Sequence, residues 1–151
     1  PLRFPPVRSG LRPRLTLTGV RREAAPAILV RTAVETDASG PPHRHLGPAT
    51  DETLVVRRGA VGLVVFDDKG GVVQHVILRA GTGALGVDLP HTTWHTFVGL
   101  EPGSVIFEAK AGPYMPLARE EKAYWAPAEN DPAAGAYLET LIRLFRTEPA
   151  D

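Results

Sequence analysis

The sequence predicts an all-β domain of the sandwich or barrel class, followed by one helix. The chain has 15 glycines and 15 prolines among its 151 residues, which suits short strands joined by turns better than a helical protein. From residue 51 to residue 110, apolar segments of about six residues recur at spacings of roughly 8–12, with glycine, proline or aspartate between them. At this length the simplest organisation is a single domain.

The first residues differ in character from this region. Residues 1–13 contain four prolines and three arginines, and we expect them to form an N-terminal arm. Residues 14–151 are then expected to form the single domain. Leu15 and Leu17 alternate with threonines, which predicts a first short strand. The β-branched and apolar segment Ala27–Val34 predicts a second strand.

Six further strands are predicted from apolar runs that end at turn residues. The segment Asp67–Gly71 is typical of a hairpin connection, because its glycines allow the positive φ of a tight return. The predicted strands are Thr53–Arg58, Val61–Phe66, Val72–Leu78, Leu85–Leu89, Thr93–Leu100 and Ser104–Lys110.

The end of the chain predicts an amphipathic helix over residues 130–146, after a helical turn within 117–125. Asn130 or Asp131 is a suitable N-cap, and Pro132 suits a first turn. One apolar face has the spacing i, i+3, i+4, i+7 and consists of Leu138, Leu141, Ile142 and Phe145. This face would pack on the sheet, or equally well on a second copy in a homodimer.

Composition excludes several classes of function. Lys plus Arg and Asp plus Glu each number 17, so no charge excess favours a nucleic-acid or membrane partner. The chain has no cysteine, which excludes disulfides, thiolate metal sites and cysteine nucleophiles. No apolar run approaches ~18 residues and no leader pattern is present, so we expect a soluble, cytoplasmic protein with a small-molecule ligand or substrate.

Four of the five histidines fall in two short windows, at residues 43–45 and 91–95. His43 and His45 are two residues apart, so on an extended segment both imidazoles face the same side and Arg44 faces the other. Converging imidazole and carboxylate groups can hold a divalent transition metal. The sequence therefore predicts a metal site built on nitrogen and oxygen ligands.

The nearest carboxylate that fits this site is Glu52. The intervening Leu46-Gly-Pro-Ala49 segment predicts a loop, after which the strand register restarts. If Glu52 faces inward, the apolar Leu54 and Val56 share its face; the alternative with Asp51 inward would bury Arg57 without a partner, which is costly. If the interval were regular strand, Glu52 would be excluded and the site would have three histidines.

His95 is predicted to be the fourth ligand. Thr93 and Phe97 share its face of the strand and are expected to line the cavity. His91 lies in the preceding turn and is a weaker candidate ligand; at the mouth of the pocket it is a candidate catalytic acid or base, because an imidazole titrates near neutrality.

Two further residues leave alternatives open. Glu108 is a strand carboxylate that is either a catalytic base near the metal or a member of a surface salt bridge. His75 stands alone in its strand, and we interpret it as a structural histidine.

Three neutral imidazoles and one carboxylate would leave one or two open positions on an octahedral ion, as catalytic sites do. The ligand set does not distinguish Fe, Mn, Ni, Co and Zn. A bound metal could polarise a carbonyl or hydroxyl of a substrate, or bind dioxygen if it is iron. A site that only anchors a ligand remains the alternative.

These residues resemble the two signature motifs of the cupin superfamily. The first motif is matched by His43, His45, Glu52 and Gly59, with a longer interval before the glutamate than is usual. The second is matched by Pro90 and His95, with Thr92 in place of its glycine and Gly99 in place of its asparagine. The resemblance implies a cupin-type double-stranded β-helix, or jelly-roll barrel, and assigns the metal to the matched histidines and glutamate.

Segments from residue 41 to residue 144 further resemble the WbuC family of cupin-fold metalloproteins. They are Pro42-His-Arg-His45, Phe66-Asp67, Trp94-His-Thr96, Gly112-Pro-Tyr114 and Trp125-Ala-Pro-Ala-Glu129. The resemblance implies one divalent metal inside a small barrel and a link to bacterial surface-polysaccharide synthesis. A metal-dependent isomerase, epimerase or dioxygenase acting on a small polar metabolite, such as a saccharide intermediate, is the expectation.

Overall fold

The computed structural model describes residues 16–18, 27–34, 39–113 and 115–146. The predicted N-terminal arm, residues 1–13, lies outside them. Within these ranges the chain forms strands, a 3₁₀ turn and a helix: β1 (Thr16–Thr18), β2 (Ala27–Val34), β3 (Glu52–Arg58), β4 (Ala60–Phe66), β5 (Val72–Arg79), β6 (Gly86–Leu89), β7 (Trp94–Gly99), β8 (Ser104–Ala111), the turn Arg119–Glu121 and α1 (Ala134–Arg146). The predicted all-β class with one C-terminal helix is confirmed.

The strands form two antiparallel sheets that face each other as a jelly-roll barrel. One sheet has the order β1-β2-β8-β3-β6 and the other has the order β5-β4-β7. The barrel interior is filled by apolar side chains from both sheets, each buried: Val34, Leu54, Val56, Val61, Leu63, Leu78, Leu89 and Ile106. These residues sit on alternate positions of their strands, as a half-buried strand requires.

Helix α1 covers the outer face of the smaller sheet. Leu141, Ile142 and Phe145 are buried there against β4 and β7 side chains, and Leu138 packs at the edge of the same cluster. Gly62 permits this approach, because a Cβ at that position would lie 2.4 Å from the Phe145 ring. The apolar stripe of the helix is thus covered within the chain.

The helix begins later than the sequence predicts. Its first residue is Ala134, whereas the prediction placed the start near residue 130. Asp131 closes a turn just before it, where its Oδ1 accepts a hydrogen bond of 2.8 Å from the Ala133 N–H. Arg143 and Arg146 lie in the last turn, where positive charge favours the helix dipole.

The hairpin between β4 and β5 forms where it is predicted. Asp67 Oδ1 accepts hydrogen bonds of 2.8 Å from the N–H groups of Lys69 and Gly71, and Gly70 has a φ of 85°. The side chain therefore closes the turn, and glycine supplies the left-handed conformation that the turn needs.

In the described part of the chain, no helix has the length and apolar character that crossing a membrane requires.

Candidate metal centre

The segment His43–His45 is held in an extended conformation between two parts of the chain. On one side the His43 N–H donates to the His95 carbonyl at 3.0 Å, and the His95 N–H donates back to the His43 carbonyl at 2.9 Å. On the other side the Arg44 N–H donates to the Glu121 carbonyl at 2.9 Å. The two imidazoles share one side, with ring centroids 5.2 Å apart, while the Arg44 guanidinium lies over the Trp94 ring at 4.3 Å.

The interval between His45 and Glu52 is a loop. A turn closes at Thr50, whose N–H and Oγ1 both donate to the Gly47 carbonyl, at 3.0 and 2.7 Å. Strand β3 then begins at Glu52, which is 2% exposed, whereas Asp51 is exposed. The register restart that Glu52 requires is present.

Three predicted ligand side chains meet at one point, and the fourth, His95, lies beside them. Ligand atoms of His43, His45 and Glu52 all lie within 4.8 Å of one another. His95 Nε2 lies 3.7 Å from Glu52 Oε2, and its ring centroid is 4.6 Å from that of His43. The residues come from a loop segment, β3 and β7, so both sheets contribute to the cluster.

The ring of His95 shows that the cluster suits a cation. Its Nε2 is buried and has no hydrogen-bond partner among the described residues, which is costly for a polar atom unless a ligand occupies the position. Its Nδ1 donates to the Thr93 carbonyl at 2.9 Å, and His43 Nδ1 donates to the Pro41 carbonyl at 3.1 Å. Carbonyl partners on Nδ1 leave the Nε2 lone pair free, as in histidine ligands of metals.

The protonation states are also those that a metal needs. Burial lowers the pKa of His43 to about 4 and also lowers the pKa of His95. Burial alone would raise the pKa of Glu52, but its hydrogen bond with His45, followed by the interactions with His95 and with the Lys110 ammonium, brings it to about 2. At neutral pH, His43 and His95 are therefore neutral and the carboxylate is ionised, so lone pairs are available to a divalent ion.

Strand β8 adds two charged side chains to the cluster. Lys110 pairs directly with Glu52 in the sheet register, and its Nζ lies 3.1 Å from His45 Nε2 and 3.1 Å from Glu108 Oε1. Burial, followed by the negative charge of Glu52, raises the pKa of Glu108. Glu108 is half-buried, lies near Glu52 and also forms the ion pair with Lys110, so both alternatives for it stay predictions.

Sequence reasoning missed Lys110. The sequence does contain an indication of its position. Ser104, Ile106, Glu108 and Lys110 are alternate residues of β8 and share one face, and the first two are buried. A lysine near the end of a strand is normally solvated, so the pattern alone did not single it out.

His91 lies outside the cluster, whereas the predicted lining residues Thr93 and Phe97 both contact His95. Among the described residues, the His91 ring is hydrogen-bonded to Asp51, with 2.7 Å between Nδ1 and Oδ1, and its side chain is 38% exposed. It stands in the turn before β7 rather than in the four-residue cluster. The Phe97 ring contacts His95 edge-on at 5.7 Å and packs against the barrel core, while Thr93 contributes its carbonyl.

His75 lies away from the cluster, on β5, with its ring 5.6 Å from that of Phe145 under α1.

A separate open cleft of about 710 Å³ lies on the outer side of the His43–His45 segment. Its lining includes Arg44, Trp94 and Tyr124 but none of the four clustered side chains.

Comparison with known proteins supports the fold. Residues 11–78, less than half of the chain, match a family described as a domain of unknown function, DUF6016. No curated protein matches the chain. Among solved structures, KdgF from Halomonas sp. superposes with a TM-score of 0.51 at 22% identity, covering 64% of this chain and 79% of that one.

A variant of Bacillus subtilis oxalate decarboxylase OxdC superposes with a TM-score of 0.50 at 16% identity, covering 62% of this chain and 23% of that one. A cupin-2 domain containing protein from Shewanella frigidimarina has a TM-score of 0.47 at 20% identity, covering 70% and 85% of the two chains. The structural neighbours share the fold of this chain, which is the jelly roll that the sequence motifs predict. The closer resemblance to the WbuC family stays a prediction.

Proposed function

We propose that this chain is a cupin that binds one divalent transition metal and catalyses a reaction of a small polar metabolite. The metal ligands are His43, His45, Glu52 and His95. The observation that carries the proposal is the buried Nε2 of His95, which has no hydrogen-bond partner among the described residues and lies 3.7 Å from Glu52 Oε2. A buried cation would satisfy this nitrogen and share the charge of the carboxylate.

Polar groups beside the ligands support an enzyme over a purely structural site. When bound, the metal supplies Lewis acidity for an isomerase or epimerase-like reaction, or redox chemistry for a dioxygenase-like one. Glu108 is the first candidate acid or base. Its raised pKa brings proton exchange closer to neutral pH. His91, oriented by Asp51 at 2.7 Å, is a second candidate at the edge of the barrel.

A saccharide intermediate of surface-polysaccharide synthesis is our proposed substrate type. The resemblance to the WbuC family, carried by Pro42-His-Arg-His45 and by the segment Trp125–Glu129, supports it. The hydroxyl and carbonyl oxygens of a sugar are suitable ligands for the open positions of a divalent ion.

The alternative is a non-catalytic cupin in which the metal anchors a small ligand. This alternative uses the same buried ligands, since Glu52 and His95 are each 2% exposed, but needs no group that transfers a proton. Under this alternative a ligand would bind tightly to the metal-loaded protein and be released unchanged.

Metal analysis combined with a turnover assay tests the proposal. We expect one equivalent of metal in the native protein, and loss of that metal in His43→Ala and His95→Ala. The matched control is His75→Ala, which removes a histidine that packs on Phe145 and should keep the metal. Native protein without stoichiometric metal under any condition would overturn the metal site, and sugar substrates recovered unchanged from metal-loaded protein would select the binding alternative.

A further inference from the structure

Lys110 and Glu108 form a charged pair beside the metal cluster, closer to the surface than its ligands. Their side chains are 17% and 18% exposed, and Nζ lies 3.1 Å from Glu108 Oε1. Glu52 and His95 lie deeper, at 2% each. A small molecule that approaches the cluster from this side of the barrel therefore meets the ammonium group next to the metal ligands.

Lys110 also contacts a ligand atom that a metal would use. Its Nζ is 3.1 Å from His45 Nε2, which in turn is 3.0 Å from Glu52 Oε2. A neutral imidazole nitrogen has one lone pair. Without a metal, His45 Nε2 either donates to Glu52 or accepts from Lys110, according to its tautomer, and with a cation bound it does neither. Metal binding therefore leaves the ammonium with a free N–H donor.

Formal charges indicate what this donor would bind. With both carboxylates ionised, Glu52 and Glu108 carry two formal negative charges and Lys110 carries one positive charge, which leaves one negative charge in excess. A divalent cation reverses the balance to one positive charge in excess. A pocket with this balance and a directed ammonium donor suits a singly charged anion.

We propose that Lys110 binds the carboxylate of a small hydroxy- or keto-acid at the metal site, so that the polar metabolite of the proposed function is a monocarboxylate, which among saccharides means a sugar acid. This inference rests on the proposed metal-dependent function and deepens it. Glu108 holds Lys110 in place through the ion pair and acts as a positioning residue for it. A phosphate dianion would exceed the positive charge of the pocket, which is why a carboxylate is the better match.

The test is a titration of the Co²⁺-loaded protein, followed by calorimetry and by its visible absorption, which senses changes at the metal. The probes are glycolate, its neutral analogue glycolamide, and methyl phosphate. The variants are Lys110→Met and Lys110→Arg. The double variant Lys110→Met with Glu108→Gln is added in case Lys110→Met misfolds, because it leaves no carboxylate at position 108 without its partner. Lys69→Met, in the exposed hairpin, is the control. Metal content is measured for every sample.

We expect native protein to bind glycolate at least tenfold more tightly than glycolamide, since a charge-assisted hydrogen bond discriminates by about this factor. Lys110→Met should lose that preference while keeping the metal. The double variant has the same formal charge as the metal-loaded native protein but lacks the ammonium donor, so its preference should be clearly reduced. Lys110→Arg and Lys69→Met should retain the preference. Metal-loaded variants with undiminished glycolate affinity, or tighter binding of methyl phosphate than of glycolate, would overturn this inference alone. Native protein that takes up no Co²⁺ would overturn it together with the proposed function.

Discussion

At the scale of single residues, two backbone conformations explain features of the sequence motifs. Gly59 has a φ of 71°, and a Cβ there would lie 2.3 Å from Ser104 Oγ. Thr92 has a φ of 72°, the one positive φ outside glycine in the described part of the chain. The second cupin motif has a glycine at this position, so the threonine occupies a left-handed conformation that suits glycine better.

Replacing Thr92 should therefore stabilise the protein. A β-branched residue at positive φ costs of order 1–3 kcal/mol, and glycine removes this strain at some cost in unfolded-state entropy. We expect Thr92→Gly to raise the free energy of unfolding by about 1 kcal/mol, as measured by urea denaturation. Thr82→Gly, at an exposed turn threonine without a positive φ, should lower it. An equal decrease in the free energy of unfolding of both variants would contradict the strain argument.

The candidate ligands were predictable at the residue scale, whereas Lys110 was not. Spacing alone puts His43 and His45 on one side of an extended segment, and the cost of burying Arg57 favours Glu52 over Asp51. Arg57 is indeed exposed. Alternation along β8 puts Lys110 on the inward face, but its contacts with Glu52 and His45 join residues that are distant in sequence, and no local pattern shows them.

At the scale of elements, the 3₁₀ turn Arg119–Glu121 secures the segment that carries two histidines. Glu121 Oε1 accepts the Leu46 N–H and Oε2 accepts the Ala118 N–H, both at 2.8 Å. The turn predicted within residues 117–125 therefore also holds the segment that carries His43 and His45. It fixes the exit of the chain from the metal cluster.

Removing this carboxylate should weaken metal binding without removing a ligand. We expect Glu121→Ala to lower metal affinity by about 10–100-fold, the usual effect of losing a group that orients metal ligands. Glu120→Ala, which changes a neighbouring exposed acid, should have no such effect. Competition with a chromogenic chelator measures both affinities. Unchanged affinity in Glu121→Ala would show that the backbone contacts of the segment orient it without this carboxylate.

Helix α1 should stabilise the barrel from outside. Phe145 is 7% exposed and its ring covers Gly62. We expect Phe145→Ala to lower the free energy of unfolding by about 3–5 kcal/mol, as truncation of a buried aromatic residue does. Arg143→Ala, on the exposed side of the same helix, should change it by no more than about 0.5 kcal/mol. Similar effects of the two variants would mean that the helix contributes little to stability.

Element boundaries were predictable where a turn residue ends an apolar run. The bounds of β2 agree with the predicted Ala27–Val34, and β8 extends the predicted Ser104–Lys110 by one residue. The start of α1 was not predictable in this way, because Asp131 and Pro132 form a separate turn and the helix begins only at Ala134. The order of the strands in each sheet could not be predicted either, because it depends on pairings between strands that are far apart in the sequence.

At the scale of the whole molecule, burial of the cluster makes the stability of the metal-free protein depend on pH. The pKa of His43 falls from 6.5 to about 4 on folding, so the unfolded chain takes up the proton first and stability decreases as pH falls from 6.5 to 4. The pKa of Glu52 falls from 4.5 to about 2, so its contribution is present above pH 4.5 and is lost towards pH 2.

Urea unfolding in the presence of a chelator checks this dependence. We expect the midpoint to fall steadily from pH 7 to pH 4, with a shallower slope between pH 6.5 and pH 4 in His43→Gln. The raised pKa of Glu108 acts in the opposite direction and reduces the total change. A midpoint that stays constant or rises as the pH falls would contradict the assigned protonation states.

The arrangement of the whole barrel brings four groups from a loop, β3 and β7 to one point, and the central claim is that they hold one metal ion. Diffraction data collected at the absorption edge of the metal found in the native protein test this claim most directly. We predict a single anomalous peak about 2.0–2.3 Å from ligand atoms of His43, His45, Glu52 and His95. A fully ordered cluster without a peak, or a peak bound by other residues, would contradict it.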